Sequence, residues 1–186
     1  TNFDFSKDLY PQMLRERAAL FGHVAEGYWR DIGNIEEYRR AHDDILRGRV
    51  KIRLRGERRT TGRCTIWGER GAMIGREVRC RGTVLLGANV EVGAGAALEN
   101  VIIGPGTKIG PGADVRGTVL WENCRVGPSA RISEAVCGTG VKIGAGAAIR
   151  ERTIVADNAE VGARAVVGPN VKVWPDKVVE ERAALT

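Results

Sequence analysis

Few side chains in this 186-residue chain could carry out acid–base, nucleophilic or metal chemistry. They are two histidines, His23 and His42, and four cysteines, Cys64, Cys80, Cys124 and Cys137. A zinc ion held by three imidazoles is excluded by count. The cysteines form no CxxC pair and have no histidine nearby, so a thiolate zinc site is not expected either. His23 lies in an extended piece, and His42, next to Asp43 and Asp44, is expected to face solvent from a helix. The four cysteines read as free, buried thiols of a reducing compartment, so a cytoplasmic protein is expected. No apolar run approaches the length of a membrane span, and no signal-peptide pattern opens the chain.

Charge is the second candidate for chemistry, and it is concentrated. Residues 1–46 carry a net charge of −3, residues 47–80 carry +8, and residues 81–186 carry +1. The excess is the run RGRVKIRLRGERRTTGR from Arg47 to Arg63. Phosphate binding needs such density, but no aromatic residues are interleaved and no groove-reading motif accompanies it. Nucleic acid is therefore disfavoured. The run is expected to link helix to repeat and to lie against an acidic surface of another domain or subunit.

The elements that must position these groups follow from a six-residue period. Aliphatic residues recur at Ile74, Cys80, Leu86, Val92 and Leu98, then at Ile103, Ile109 and Val115, then at Leu120, Val126 and Ile132. The last run is Cys137, Ile143, Ile149, Val155, Val161, Val167 and Val173. Between runs the register slips by one residue, and all three slips fall between the second and third columns of the stacked coils. This predicts a parallel β-helix with three short strands per coil and one tighter corner. Gly or Asn three residues after the aliphatic, as at Asn89, Gly95, Gly106, Gly112, Asn123, Gly140, Gly146, Asn158 and Asn170, supplies a left-handed turn residue. At the tight corner such residues are missing until Asn170, so a different turn is expected there. Trp121 follows Leu120 and should point outward, either as a contact surface or partly covered by a loop or by residues 1–46; Trp67 and Trp174 raise the same alternatives.

The first 46 residues lack this period. Asn34 reads as an N-cap, Glu36 and Glu37 suit a first turn, and Ile35, Tyr38, Ala41, Ile45 and Leu46 share a helical face that Gly48 ends. Ser6 to Arg17 predicts a shorter helix interrupted near Pro11. So small a segment must pack on something else.

The run FDFSKDLYP at residues 3–11, with GYWRDIGNIEEYRRAHDDIL at residues 27–46, resembles the end of the catalytic domain of sugar-nucleotide pyrophosphorylases, nearest the mannose-1-phosphate guanylyltransferase group. Members of that group often continue into a hexapeptide-repeat tail, and some into a phosphomannomutase-like domain; VKVWPDKVVEERAALT at residues 171–186 resembles the close of such a tail. The resemblance implies a mainly β fold: a left-handed parallel β-helix of about six to seven coils preceded by a short α-helical segment. It implies a domain remnant over 1–48, a basic linker over 49–61, the β-helix over 62–175 and a C-terminal tail over 176–186. It also implies a magnesium-dependent parent enzyme joining a sugar 1-phosphate to a nucleoside triphosphate. Asp31 matches the aspartate of the family's DxG turn, which helps hold the metal, although Asn34 stands where the family usually has Thr. The family's glycine-rich nucleotide loop is absent, so the chain is expected to be an inert C-terminal fragment that binds no cofactor itself. Its tail would serve homo-oligomerisation or regulation. The alternative is a free-standing hexapeptide-repeat protein, acyltransferase-like or a scaffold. The acyltransferases of this fold use a histidine as general base, and the repeat here contains none.

Overall fold

The chain enters its repeat through an antiparallel hairpin, β1 (Glu57–Thr61) and β2 (Cys64–Gly68), which turns at Gly62 with φ +57°. The computed structural model describes residues 3–186. Past the hairpin, β2 pairs in parallel with β4 (Arg79–Leu86), and β3 (Met73–Ile74) pairs with β5 (Glu91–Val92). β6 (Ala97–Ile103) stacks on β4, and the later strands are two or three residues long. The result is a left-handed β-helix of about seven coils.

The three aliphatic columns stack in register. On the first face Ile74 pairs with Val92, then Ile109, Val126, Ile143, Val161 and Val179 follow. Cys80, Leu98, Val115, Ile132, Ile149, Val167 and Leu185 form the second. Leu86, Ile103, Leu120, Cys137, Val155 and Val173 form the third. Nearly all are buried, and the small residues between them, such as Ala96, Ala113, Ala130 and Ala147, are fully buried. The two ends are the exceptions: Ile74 at the open first coil is 42% exposed and Leu185 at the last is 38% exposed.

The coils approach closely enough to constrain the residue after each first-face aliphatic. A Cβ added at Gly110 would sit 2.6 Å from the carbonyl carbon of Gly127 in the next coil. The tight corner has its own turn. Asn100, Gly117 and Glu134 take left-handed conformations two residues after Leu98, Val115 and Ile132, one position earlier than at the ordinary corners. Arg152 and Asn170 restore the three-residue spacing after Ile149 and Val167.

Buried hydroxyls close their own hydrogen bonds, as burial requires. Thr107 donates to the Trp121 carbonyl at 3.0 Å and accepts from the Cys124 amide at 3.1 Å. Thr153 donates to the Gly168 carbonyl at 2.7 Å.

Several boundaries differ from the sequence reading. Residues 176–186, expected as a tail, carry strands Val178–Val179 and Ala184–Leu185 that continue the coils. Residues 57–61, expected within a linker, are strand β1. Pro11 does not interrupt the first helix: a π-helical turn over Phe5–Leu9, capped by Asp4, runs into α1 (Tyr10–Arg15), and Pro11 stands in its first turn. Its missing amide falls at the junction where the π-helical turn passes into α1, in the first turn of that helix, where proline is tolerated.

The cysteines also divide. Cys64 and Cys80 form a disulfide with Cα atoms 5.5 Å apart, so the reading of four free thiols is corrected. The error came from sequence separation: the hairpin folds Cys64 back over the second column, beside Cys80. Cys124 and Cys137 remain free and buried. Burial pushes the Cys124 thiol up to about 11 and raises that of Cys137 further. Among the described residues no helix is long and apolar enough to cross a membrane.

Candidate functional site

The second helix, α2 (Ile35–Leu46), begins as its sequence predicts, with the Asn34 side chain accepting from the Glu37 amide at 2.9 Å. It lies along the tight corner of the prism and packs on β4 and β6. At 1.5 Å per residue a twelve-residue helix spans roughly 18 Å, about the height of four coils spaced roughly 4.8 Å apart. The three shortened corners therefore fall within its length. Asn100, Gly117 and Glu134 line one cleft with Arg39, His42 and Leu46 of α2.

Outward positions of the third face explain why the helix lies there. They are Leu85, Ile102, Val119, Val136 and Ile154, one before each aliphatic of that column. Equivalent positions on the first face are Glu91, Lys108, Arg125, Lys142 and Glu160, in which Lys108 pairs with Glu91 at 2.7 Å and Lys142 with Glu160 at 2.5 Å. Over the middle coils one face is thus apolar outside and the other charged; Met73 and Val178 on the first face and Lys172 on the third depart from this at the ends. Val119 and Val136 are 6% and 5% exposed although they point away from the core.

Polar contacts fix the helix on this face. The Trp121 indole N–H donates to the Tyr38 hydroxyl at 2.9 Å, and Arg39 reaches Glu134 at 3.1 Å. Tyr38 in turn packs on His42, ring centroids 4.2 Å apart, and the His42 Nδ1 lies 2.8 Å from the Tyr38 carbonyl oxygen. Of the two readings of Trp121, cover by residues 1–46 holds, though the ring keeps 45% of its exposure. His42 is half-buried against Tyr38 rather than facing solvent freely, and His23 is exposed.

Sequence reasoning missed the hub of the segment, Asp44. Its carboxylate is 3% exposed and accepts from the Tyr28 hydroxyl, Arg30 and Arg49, each at 2.9 Å. Arg30 also pairs with Glu37 at 2.5 Å. The Tyr28 hydrogen bond is the chief reason the Asp44 carboxyl is held below the usual carboxylate range, and Arg49 and Arg30 add to it against the cost of burial. The same network raises Arg30 and lowers Glu37. The GYWRDIG run is thus tied to α2 by its tyrosine and arginine. A signal existed: an aspartate on the apolar side of a helix, one residue from Ile45, calls for a cation from elsewhere.

Asp31, the residue expected at a metal, is exposed, and no hydrogen bond or ion pair among the described residues involves it. No three His, Cys, Asp or Glu side chains among the described residues gather as metal ligands do. A divalent cation needs several oxygens, so the residues present do not make a magnesium site.

Residues 63–167, more than half of the chain, match the family described as the EIF2B subunit epsilon LbH (left-handed β-helix) domain. Shorter stretches are similar to glucose-1-phosphate adenylyltransferases. That of Clostridium botulinum (strain Eklund 17B / Type B) is 39% identical over 51 residues, 27% of this chain and 13% of its own. That of Fusobacterium nucleatum is 42% identical over 43 residues, 23% of this chain and 11% of its own. The chain thus spans a small part of the length of these relatives. Among solved structures, the acetyltransferase domain of PglB from Neisseria gonorrhoeae has a TM-score of 0.48 at 20% identity, covering 76% of this chain and 63% of that one. From its coil register and from the match over residues 63–167, the chain belongs to the family of the EIF2B subunit epsilon left-handed β-helix domain.

Proposed function

We propose that this chain is the C-terminal part of a sugar-1-phosphate nucleotidyltransferase, its β-helix serving oligomerisation or regulation. The observation that carries the reading is the state of the segment before α2. Phe21, Val24 and Trp29 are 93%, 89% and 82% exposed, while Tyr28 and Arg30 beside them are tied to the helix. Apolar side chains so exposed on an anchored segment suit the face of a further folded body. Tyr28, Trp29 and Arg30 belong to the GYWRDIG run that carries the resemblance to the pyrophosphorylase catalytic domain, and the adenylyltransferase relatives support the same reaction class.

In the parent, a sugar 1-phosphate attacks a nucleoside triphosphate and pyrophosphate leaves. The GYWRDIG run favours mannose 1-phosphate and GTP; the names of the relatives favour glucose 1-phosphate and ATP. Magnesium, if the parent uses it, takes most of its ligands from other residues. The reading carries with it self-association through the β-helix, an upstream catalytic domain and a downstream phosphomannomutase-like domain in some parents. A cytoplasmic location then rests on the reaction class alone, because the Cys64–Cys80 bond removes the free thiols from which it was expected.

An antibody raised against this chain tests the reading in source cells. A band far above 20.1 kDa is expected, and a band at that mass overturns it. The chain alone is expected to release no pyrophosphate from either substrate pair; turnover overturns its inert role.

A further inference from the structure

The run from Arg47 to Arg63 is left without a role by the proposed function, and the fold gives it one edge of backbone to work with. β1 pairs with β2 on one side only, and all five of its residues are exposed. Its other edge therefore presents unpaired amides and carbonyls, a ready template for another strand. Cations converge on this edge. Arg53 and Arg55 line a groove with Trp67 and Gly56 at the start of β1. Arg59 and Arg70 line the open end of the solenoid beside it with Glu57 and Glu69, so that end is balanced in charge and otherwise apolar, with Ile66, Ile74 and Leu86; the excess of cations lies on the other side, at Arg53, Arg55 and Arg58. Arg58 lies over the Trp67 ring at 6.0 Å. In this group only Arg59 has an acidic partner, Glu57 at 3.1 Å; Arg53, Arg55, Arg58, Arg63 and Arg70 form no ion pair among the described residues.

We propose that the free edge of β1 binds an acidic, extended peptide segment by strand addition. Charge selects the occupant. A second copy of β1 paired antiparallel over its full length would set Arg59 against Arg59, and like charges directly opposite are destabilising. A single-stranded nucleic acid would satisfy the charge but stacks its bases on exposed rings, and the one ring here, Trp67, has the Arg58 guanidinium at 6.0 Å. An acidic strand answers both features: its backbone completes the ladder, and its carboxylates meet the unpaired guanidiniums. Apolar residues alternating with the acids would face the open end of the solenoid, where Ile66, Ile74 and Leu86 lie.

Protection of the edge against aggregation explains one or two charges on β1 itself. It does not explain Arg53, Arg55 and Arg70, which lie off the strand and flank it.

The test uses the full chain and a short fluorescent peptide of alternating Glu and Val, followed by anisotropy and by amide hydrogen exchange. Binding is expected, with slowed exchange confined to alternate amides of Glu57–Thr61. The exposed pair R53E/R55E is expected to weaken it about tenfold while leaving the circular dichroism of the solenoid unchanged. Absence of binding overturns the proposal. So does binding without protection of β1, or equal competition by a single-stranded oligonucleotide of the same net charge, either of which means attraction by charge alone.

Discussion

The indole N–H of Trp121 donates to the hydroxyl of Tyr38 across 2.9 Å, joining two residues 83 apart in the chain. Their ring centroids are 6.5 Å apart, so packing accompanies the hydrogen bond. This is where α2 is fixed to the solenoid, on the face whose outward side chains are apolar. Tyr38→Phe removes the acceptor and keeps the ring. Because Trp121 is half-exposed, the expected loss lies near the lower end for a hydrogen bond, about 0.5 kcal/mol. Trp121→Ala removes ring and donor together and costs more. A double-mutant cycle by urea unfolding should return a coupling between the two, and additive losses would mean that the contact does not hold the helix.

Asp44 makes the attachment of the GYWRDIG run sensitive to acid. Its folded-state carboxyl titrates below the ordinary value of about 3.9. A depressed carboxylate contributes stability that is fully present above the unfolded value and is lost as pH falls through the folded one. The Tyr28 and Arg30 contacts should therefore be intact at neutral pH and weaken only in acid, below the usual carboxylate range. The side-chain NMR signals of Tyr28 and Arg30 should shift there in the native protein, as the carboxylate they contact is protonated. In Asp44→Asn, which leaves Arg30 and Arg49 facing a neutral group, those signals should stand displaced already at neutral pH. Identical signals in both proteins across the range would refute the assignment.

The solenoid's stability is a sum over neighbouring coils, so single changes in the middle should be felt locally and strongly. Ile132 is fully buried in the second column, and Ile132→Ala is expected to cost about 2–5 kcal/mol in thermal or denaturant unfolding. Gly110→Ala is a different kind of test, because it adds atoms. Its new Cβ would stand 2.6 Å from backbone of the next coil, so the coils must separate. Gly110→Ala should therefore lower the melting temperature, although alanine is usually the better residue. At Gly95, where an added Cβ meets nothing within 4 Å, the penalty should come from the positive φ alone and be smaller.

How much of this was legible in the chain follows from which interactions have a short period. Columns, corners and the helix from Ile35 to Leu46 could be read because each rests on residues at most six apart. The tight corner could be located, but its cause could not: the slip at Leu98–Ile103 records a helix packed there from 50 residues upstream. The outward row Leu85, Ile102, Val119, Val136 and Ile154 held that information at a period of a whole coil, against the charged row on the first face. Asp44 was passed over because its partners, Tyr28 and Arg30, come from a segment with no periodic structure. Asp31 drew attention through a resemblance, and none of the described residues gives it a partner.

The cysteines supply the last prediction. Cys64 and Cys80 tie the entering hairpin to the first coil, while Cys124 and Cys137 are enclosed by the core. A thiol must be both exposed and ionised to react, and Cys124, pushed up to about 11, is neither at neutral pH. The folded, oxidised protein should thus take up almost no thiol reagent, and unfolding in denaturant without reductant should release two reactive thiols. After reduction of the folded protein, the partly exposed Cys80 should react ahead of the buried Cys64, and Cys124 and Cys137 should remain silent. Replacing the pair in Cys64→Ser/Cys80→Ser opens a loop of 16 residues, for which chain entropy gives a loss of about 3 kcal/mol. The loss should appear as earlier melting that begins at the hairpin, with the amides of β1 and β2 exchanging before those of the middle coils. Four thiols reacting in unreduced, unfolded protein would show that the tie does not form.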